Sequence, residues 1–365
     1  MNDRTHHVRQ IKYQFEYERR LKACFVGAGG HSFRNVYPAL RYAPVDLAAV
    51  SDIALDRAQA YAKLFGGERA YADHREMFAR EKPEIVFVVT AYHKDGRVQA
   101  TDIAKDALAA GAHVWMEKPT AASLDEVRDL AARAKAADRQ VMTGIKKVFF
   151  PAIEKLGEIV ASPEFGRLSS LYLRYPQALP PPDKRGDLVA MQSFLDHIYH
   201  PAAILNFLGG KIARASYEWE PHNGGSVLTF RYASGAVGTA HFAAGSSGAS
   251  PFERVEAVGE GANAVVDNGT KLTYYRRAAL PTYGRAASFI QPDECAPLRW
   301  EPENSLGQLY NNNMFFLGYV PEILHLCDAV LDGRKIVKGS LDDVAEIMKL
   351  FEFFRRTPAG TWADL

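Results

Sequence analysis

The 365-residue sequence predicts an α/β chain in two parts: a doubly wound N-terminal domain, then a C-terminal α+β domain built on a mainly antiparallel open sheet. Three observations carry this reading. Short, continuously apolar runs alternate with helix-period segments from Leu21 to about Thr143, as they do in βαβ units. The first of these runs leads straight into a glycine-rich turn. After Pro151 the apolar pattern switches to the period-two alternation of strands buried on one face only.

Five strand candidates in the first part are 22–27, 45–51, 83–90, 112–117 and 140–145, and their unbroken apolar character requires a sheet covered on both faces. In the second part, residues 167–175 alternate and read as an antiparallel strand. A proline-rich loop at 178–186 precedes a helical stretch that stops at Gly209 and Gly210. Two hairpins follow, one turning at Ala233-Ser234-Gly235 and one around Gly259 to Gly261, and helices near 315–332 and 341–356 close the sequence. The expected division is an N-terminal extension at 1–20, a first domain at 21–145 and a second at 146–365. The stretch from about 277 to 313 lacks periodicity and reads as a long loop.

Composition narrows the function. Lys plus Arg number 44 and Asp plus Glu 43, so no global field attracts nucleic acid or an anionic membrane, and a small molecule is the expected partner. Cys24, Cys295 and Cys327 are widely spaced with no CxxC pair, which fits a reducing compartment and argues against a structural zinc site. No run approaches the roughly 18 apolar residues of a membrane span, and the charged first twenty residues do not read as a signal peptide. The expected location is the cytoplasm.

The glycine-rich turn reads Gly27-Ala28-Gly29-Gly30-His31-Ser32. At this place a glycine permits the tight turn, a second lets the backbone approach a pyrophosphate, and the helix that follows offers unpaired N–H groups. Ser32 stands where the third glycine of this Rossmann pattern usually falls. Asp52 follows the second strand, where an acid accepts hydrogen bonds from the adenosine ribose; capping of the next helix is its alternative role. Because Ile53 rather than Arg comes next, NAD is expected over NADP, with Arg57 the residue that keeps NADP as an alternative.

At Ala112-His113-Val114-Trp115-Met116-Glu117-Lys118-Pro119 the chain resembles the Gfo/Idh/MocA family, named for glucose-fructose oxidoreductase and inositol dehydrogenase. Gly144 with the basic pair after it, Pro151, and Asp196-His197-Ile198-Tyr199-His200 extend the resemblance. It implies an NAD(P)-dependent oxidoreductase that moves hydride between nicotinamide and a secondary alcohol of a sugar, polyol or inositol-like ring. Two other functions are compatible with the same motifs: an NAD-dependent glycosidase and a non-enzymatic dinucleotide sensor. The resemblance makes Lys118, Asp196 and His200 the catalytic candidates. It gives Glu117 a role in orienting the loop or contacting the carboxamide, and Pro119 a turn with a cis bond.

Residue chemistry agrees. Lys118 ends a parallel strand, the edge where open α/β sheets bind ligands, and its ammonium can stabilise alkoxide character. Asp196 and His200 are four apart, on one face of a helix. Pro201 breaks helix interiors, so the helix is expected to begin just before it, with His200 held neutral by the helix N-terminus and acting as the general base. The family usually carries Thr-Pro in the loop that here reads Thr90-Ala91-Tyr92-His93, so Tyr92 and His93 either replace the usual nicotinamide contacts or are surface loop. Lys146 and Lys147, and more weakly Asp183 and Arg185, are candidates for substrate contacts. Asp196, His197 and His200 do not complete a metal-ligand set, and no metal is expected. Relatives pair through a sheet face, which implies a homodimer or homotetramer.

Overall fold

A computed structural model describes residues 17–277, 297–302 and 313–365. Most of the N-terminal extension and of the 277–313 loop, with Cys295, lies outside the described residues. The first sheet has six parallel strands in the order β3-β2-β1-β4-β5-β6. They are β1 (Leu21–Val26), β2 (Val45–Ser51), β3 (Arg69–Tyr71), β4 (Ile85–Val88), β5 (His113–Glu117) and β6 (Val141–Gly144). Helices α1 (Leu55–Phe65), α2 (His74–Glu81), α3 (Gln99–Ala109) and α4 (Leu124–Ala137) connect them. Strand order reverses beside β1, so β1 and β4 flank the crevice in which such sheets bind dinucleotides. All four residues of β4 are fully buried, the two-sided burial that its unbroken apolar run requires. Strand β3 has no apolar run and is a strand the sequence pattern does not reveal.

The second sheet has nine strands. Helix α5 (Pro151–Val160) and β7 (Ser170–Tyr175) lead into α6 (Leu188–Gly209); β8 (Ile212–Trp219), β9 (Ser226–Tyr232), β10 (Val237–Phe242), β11 (Arg254–Val258), β12 (Asn263–Asp267) and β13 (Lys271–Tyr275) follow. The expected antiparallel strand at 167–175 is only half right. Strand β7 pairs antiparallel with β11 but parallel with β10, because α6, β8 and β9 intervene in the chain before β10 reaches it, which makes the sheet mixed. Its inward side chains, among them Leu171, Leu173, Leu228, Phe230, Ala240 and Phe242, are buried, while Tyr172, Arg174, Thr229, Arg231 and Thr239 lie on the other face.

The last helices, α7 (Tyr319–Leu331) and α8 (Leu341–Arg356), return to the first sheet. Gly339 O accepts from Thr143 N at 2.8 Å beyond edge strand β6, and Glu352 Oε1 accepts from Leu124 N at 2.9 Å at the start of α4. No helix among the described residues is long and apolar enough to cross a membrane.

Helix α6 corrects the expected start beside Pro201. It begins at Leu188, capped by Asp187, whose carboxylate accepts from Val189 N at 2.9 Å, and it carries Pro201 in its interior. An interior proline costs a helix about 3 kcal/mol. Twelve buried residues, among them Met191, Phe194, Leu195, Ile198 and Leu205, outweigh that at roughly 1.5–3 kcal/mol per large apolar side chain. His200 therefore sits deep in the helix and not at its N-terminus.

Candidate active site

The cofactor side begins at the turn after β1. Gly27 has φ +111°, and a Cβ there would lie 1.9 Å from Val89 O, so only glycine lets β1 and β4 run this close. At Gly29 and Gly30 a Cβ would meet no protein atom within 4 Å, which leaves the backbone open to a ligand. Ser32 is buried and braces the turn: its Oγ donates to Gly29 O at 2.8 Å and accepts from Gly29 N at 3.1 Å. A π-helical stretch, Ser32–Val36, follows the turn.

Asp52 is held by two backbone donors and one side chain. Its carboxylate accepts from Ala54 N at 2.9 Å, a local turn ahead of α1 rather than a cap of that helix, and from Ala28 N at 2.8 Å, which ties β2 to the glycine turn. Arg57 Nη2 completes the set at 2.7 Å. Burial pulls the Asp52 carboxyl upward, but the two backbone donors and Arg57 outweigh it and hold Asp52 below the usual carboxylate range. The fit to a dinucleotide is good: an open glycine cradle on one side and an ionised acid at the end of the second strand on the other.

Beyond the turn, β5 delivers Glu117, Lys118 and Pro119, and the Lys118–Pro119 peptide bond is cis. Lys118 Nζ forms an ion pair with Asp196 at 2.8 Å, joining the two domains. Asp196 thus holds the lysine. One helical turn on, His200 is buried, and its Nδ1 has no hydrogen-bond partner among the described residues. The imidazole is held far below its ordinary pKa, first by burial and then by the ammonium groups of Lys147, Lys118 and Lys146. Neutral His200 was the expected state, but its cause is desolvation and three lysines, not a helix dipole.

Lys146 and Lys147 are both largely buried, and burial lowers both below the usual lysine range. Lys146 donates to Tyr319 Oη at 2.8 Å, and Lys147 pairs with Glu253 and lies 4.6 Å from the Tyr175 ring centre. Tyr92 reaches the same neighbourhood: its buried hydroxyl is pushed up by desolvation and by Asp196, and it has no partner among the described residues. Thr90 Oγ1 is likewise buried and unpartnered. His93 turns away to Asp102, 3.5 Å distant, and its loop packs on the start of α6, where a Cβ on Gly96 would be 2.7 Å from Leu188. His31 Nε2 lies 3.4 Å from Glu117 Oε1.

Two weaker candidates are not brought to this group. Arg185 is buried against β8, where it donates to Pro180 O and Tyr217 Oη and lies over the rings of Tyr217 and Trp219. Asp183 is exposed on a short turn, Pro182–Lys184. Conversely, Glu253, Tyr175, Tyr319 and Glu322 join the cluster without any motif to mark them. Among the described residues no group of three or more His, Cys, Asp or Glu is arranged to hold a metal ion.

Residues 21–145 match the model of an oxidoreductase family with an NAD-binding Rossmann fold, GFO_IDH_MocA. These residues are therefore similar to the NAD-binding domain of that family. Trans-1,2-dihydrobenzene-1,2-diol dehydrogenase of Mus musculus is 30% identical over 152 residues, 40% of this chain and 44% of that enzyme. Myo-inositol 2-dehydrogenase of Thermotoga maritima is 26% identical over 167 residues, 45% of this chain and 48% of that enzyme. The chain thus matches less than half the length of either relative. A solved levoglucosan dehydrogenase in complex with NADH and L-sorbose superposes with a TM-score of 0.75 or better, at 0.77, over 95% of this chain and 99% of its own, at 17% identity. The likeness in fold to that structure therefore extends through the second, mixed sheet.

Proposed function

We propose that this protein is an NAD-dependent dehydrogenase that oxidises, reversibly, a secondary alcohol of a sugar, polyol or inositol-like substrate. One observation carries the reading: the Lys118–Asp196 ion pair at 2.8 Å stands beside a buried, neutral His200 at the mouth of an NAD-binding crevice. Gly27, Gly29, Gly30, His31 and Ser32 would hold the pyrophosphate side, Asp52 the adenosine ribose, and Thr90, Tyr92, Glu117 and Pro119 the nicotinamide side. Bound nicotinamide supplies the hydride acceptor.

The chain's own residues do the rest. Asp196 fixes the Lys118 ammonium, which donates to the substrate oxygen and stabilises the negative charge that grows on it. His200, neutral, takes the hydroxyl proton. Lys146 and Lys147 deter protonation of His200 before substrate arrives and border the space a polyol would fill. The buried surroundings exclude water and strengthen each of these interactions.

A screen of sugars, polyols and inositols with NAD, followed by NADH absorbance, tests the proposal. Net NADH formation is the expected result. Glycosidic cleavage without net NADH would select the glycosidase chemistry, and tight NAD binding with no turnover on any of these compounds would select a sensor.

A further inference from the structure

Glu322 lies in the first turn of α7, fully buried, and neither of its carboxyl oxygens has a hydrogen-bond partner among the described residues. Glu117 Oε2 is also buried and unpartnered, and it is directed toward Gly144, where a Cβ would come within 2.8 Å of it. The two carboxyls interact electrostatically, and Lys146 acts on both. Tyr319, one turn before Glu322 on the same helix face, accepts from that lysine. Other charged groups facing this space are His31 and Arg34 from the segment after β1, and Lys118 beyond Glu117.

Carboxylate oxygens only accept hydrogen bonds, so two buried carboxylates cannot satisfy each other. A single proton between them changes that: one becomes a donor, and like charge is removed from a low-dielectric space. Burial and the neighbouring Glu117 push Glu322 well above its ordinary range, which makes it the one that carries the proton.

We propose that Glu322 is a positioning residue for the cofactor: as the neutral acid it donates a hydrogen bond to Glu117 Oε2 and so holds Glu117 against His31. This rests on the assignment of Glu117 and His31 to the cofactor site. A residue on a helix far later in the chain thereby sets the geometry of the turn that receives NAD. The glutamate is required for its proton and not for its charge.

The test uses the full chain with Glu322→Gln, Glu322→Leu and Glu117→Ala, NAD titrated by quenching of protein fluorescence between pH 5 and 9, and melting temperatures between pH 4 and 9. Glutamine keeps a donor, so Glu322→Gln should bind NAD within about twofold of wild type, whereas Glu322→Leu should bind at least roughly tenfold more weakly. Wild type gives up proton-linked stability as pH rises above about 4.5, because the folded chain keeps a proton that the unfolded chain releases. The melting temperature of Glu322→Gln should therefore exceed wild type by a margin that opens above that pH and closes below it. Wild-type NAD binding by Glu322→Leu, weak binding by Glu322→Gln, or a margin independent of pH overturns the proposal. If the leucine variant does not fold, the glutamine variant decides by the same two measurements. Undiminished NAD binding by Glu117→Ala would instead overturn the cofactor-site assignment on which the proposal rests.

Discussion

His200 and Lys118 can be separated by what replaces them. His200→Ala and Lys118→Ala should both retain NAD binding, since neither carries the pyrophosphate or the adenosine ribose. A general base contributes about 10²–10⁴-fold, so kcat of His200→Ala should fall by that range and recover in part at high pH, where hydroxide substitutes. Lys118→Ala should lose at least ~10²-fold with no such recovery, because a fixed ammonium is not replaced by base from solution. Wild-type turnover by His200→Ala would make the histidine structural. Asp52 decides the cofactor: calorimetry should find NAD bound more tightly than NADP, since a 2′-phosphate would meet a carboxylate whose one neighbouring cation, Arg57, is already engaged at 2.7 Å. Equal or tighter NADP binding would show that Arg57 leaves Asp52 for the phosphate. Lys118 and Asp196 could be named as candidates because each falls in a short motif that carries the family resemblance. Glu253 and Glu322 were not, because their meaning lies in the buried lysine or glutamate each one faces across the fold.

At the level of the element, the glycine turn offers a paired test. Gly27→Ala places a methyl in Val89 O at a positive φ and should cost at least about 1–3 kcal/mol in a denaturant melt, besides abolishing NAD binding. Gly29→Ala meets nothing in the protein, so its stability should stay within about 1 kcal/mol of wild type while its NAD affinity drops, the added methyl standing where the pyrophosphate would approach. A Gly29→Ala variant that binds NAD normally would move the cofactor off this turn. Five strands of the first sheet were visible as apolar runs, and their observed bounds agree within a few residues. Strand β3, three residues with Arg69 exposed, and β8, where a register shift between Ile212 and Arg214 breaks the alternation, carry too little periodic signal. The helix start misplaced at Pro201 has another origin: local propensity argued for a break, and burial of a whole helix face overruled it.

For the molecule as a whole, the nine-stranded sheet has helices on one face, and no described element covers the other, which bears Tyr172, Arg174, Val227, Thr229, Arg231 and Thr239. We propose that this broad face of mixed apolar and polar character pairs with a second copy. Light scattering at micromolar concentration should therefore give a dimer or tetramer, and a charge introduced at Val227, 42% exposed, should weaken it; a monomeric wild type would count against this.

The hydrogen bonds from Thr143 N to Gly339 O and from Leu124 N to Glu352 also bear on how the protein is made. Leu124 and Glu352 are 228 residues apart, and at about 5–20 residues per second a ribosome needs roughly 10–45 s to pass from one to the other. Throughout that interval the nascent first sheet has an unfinished border at β6 and an uncovered side of α4. The first sheet is thus synthesised before the residues that complete it, and its exposed border is where a chaperone on the emerging chain would have most to shield.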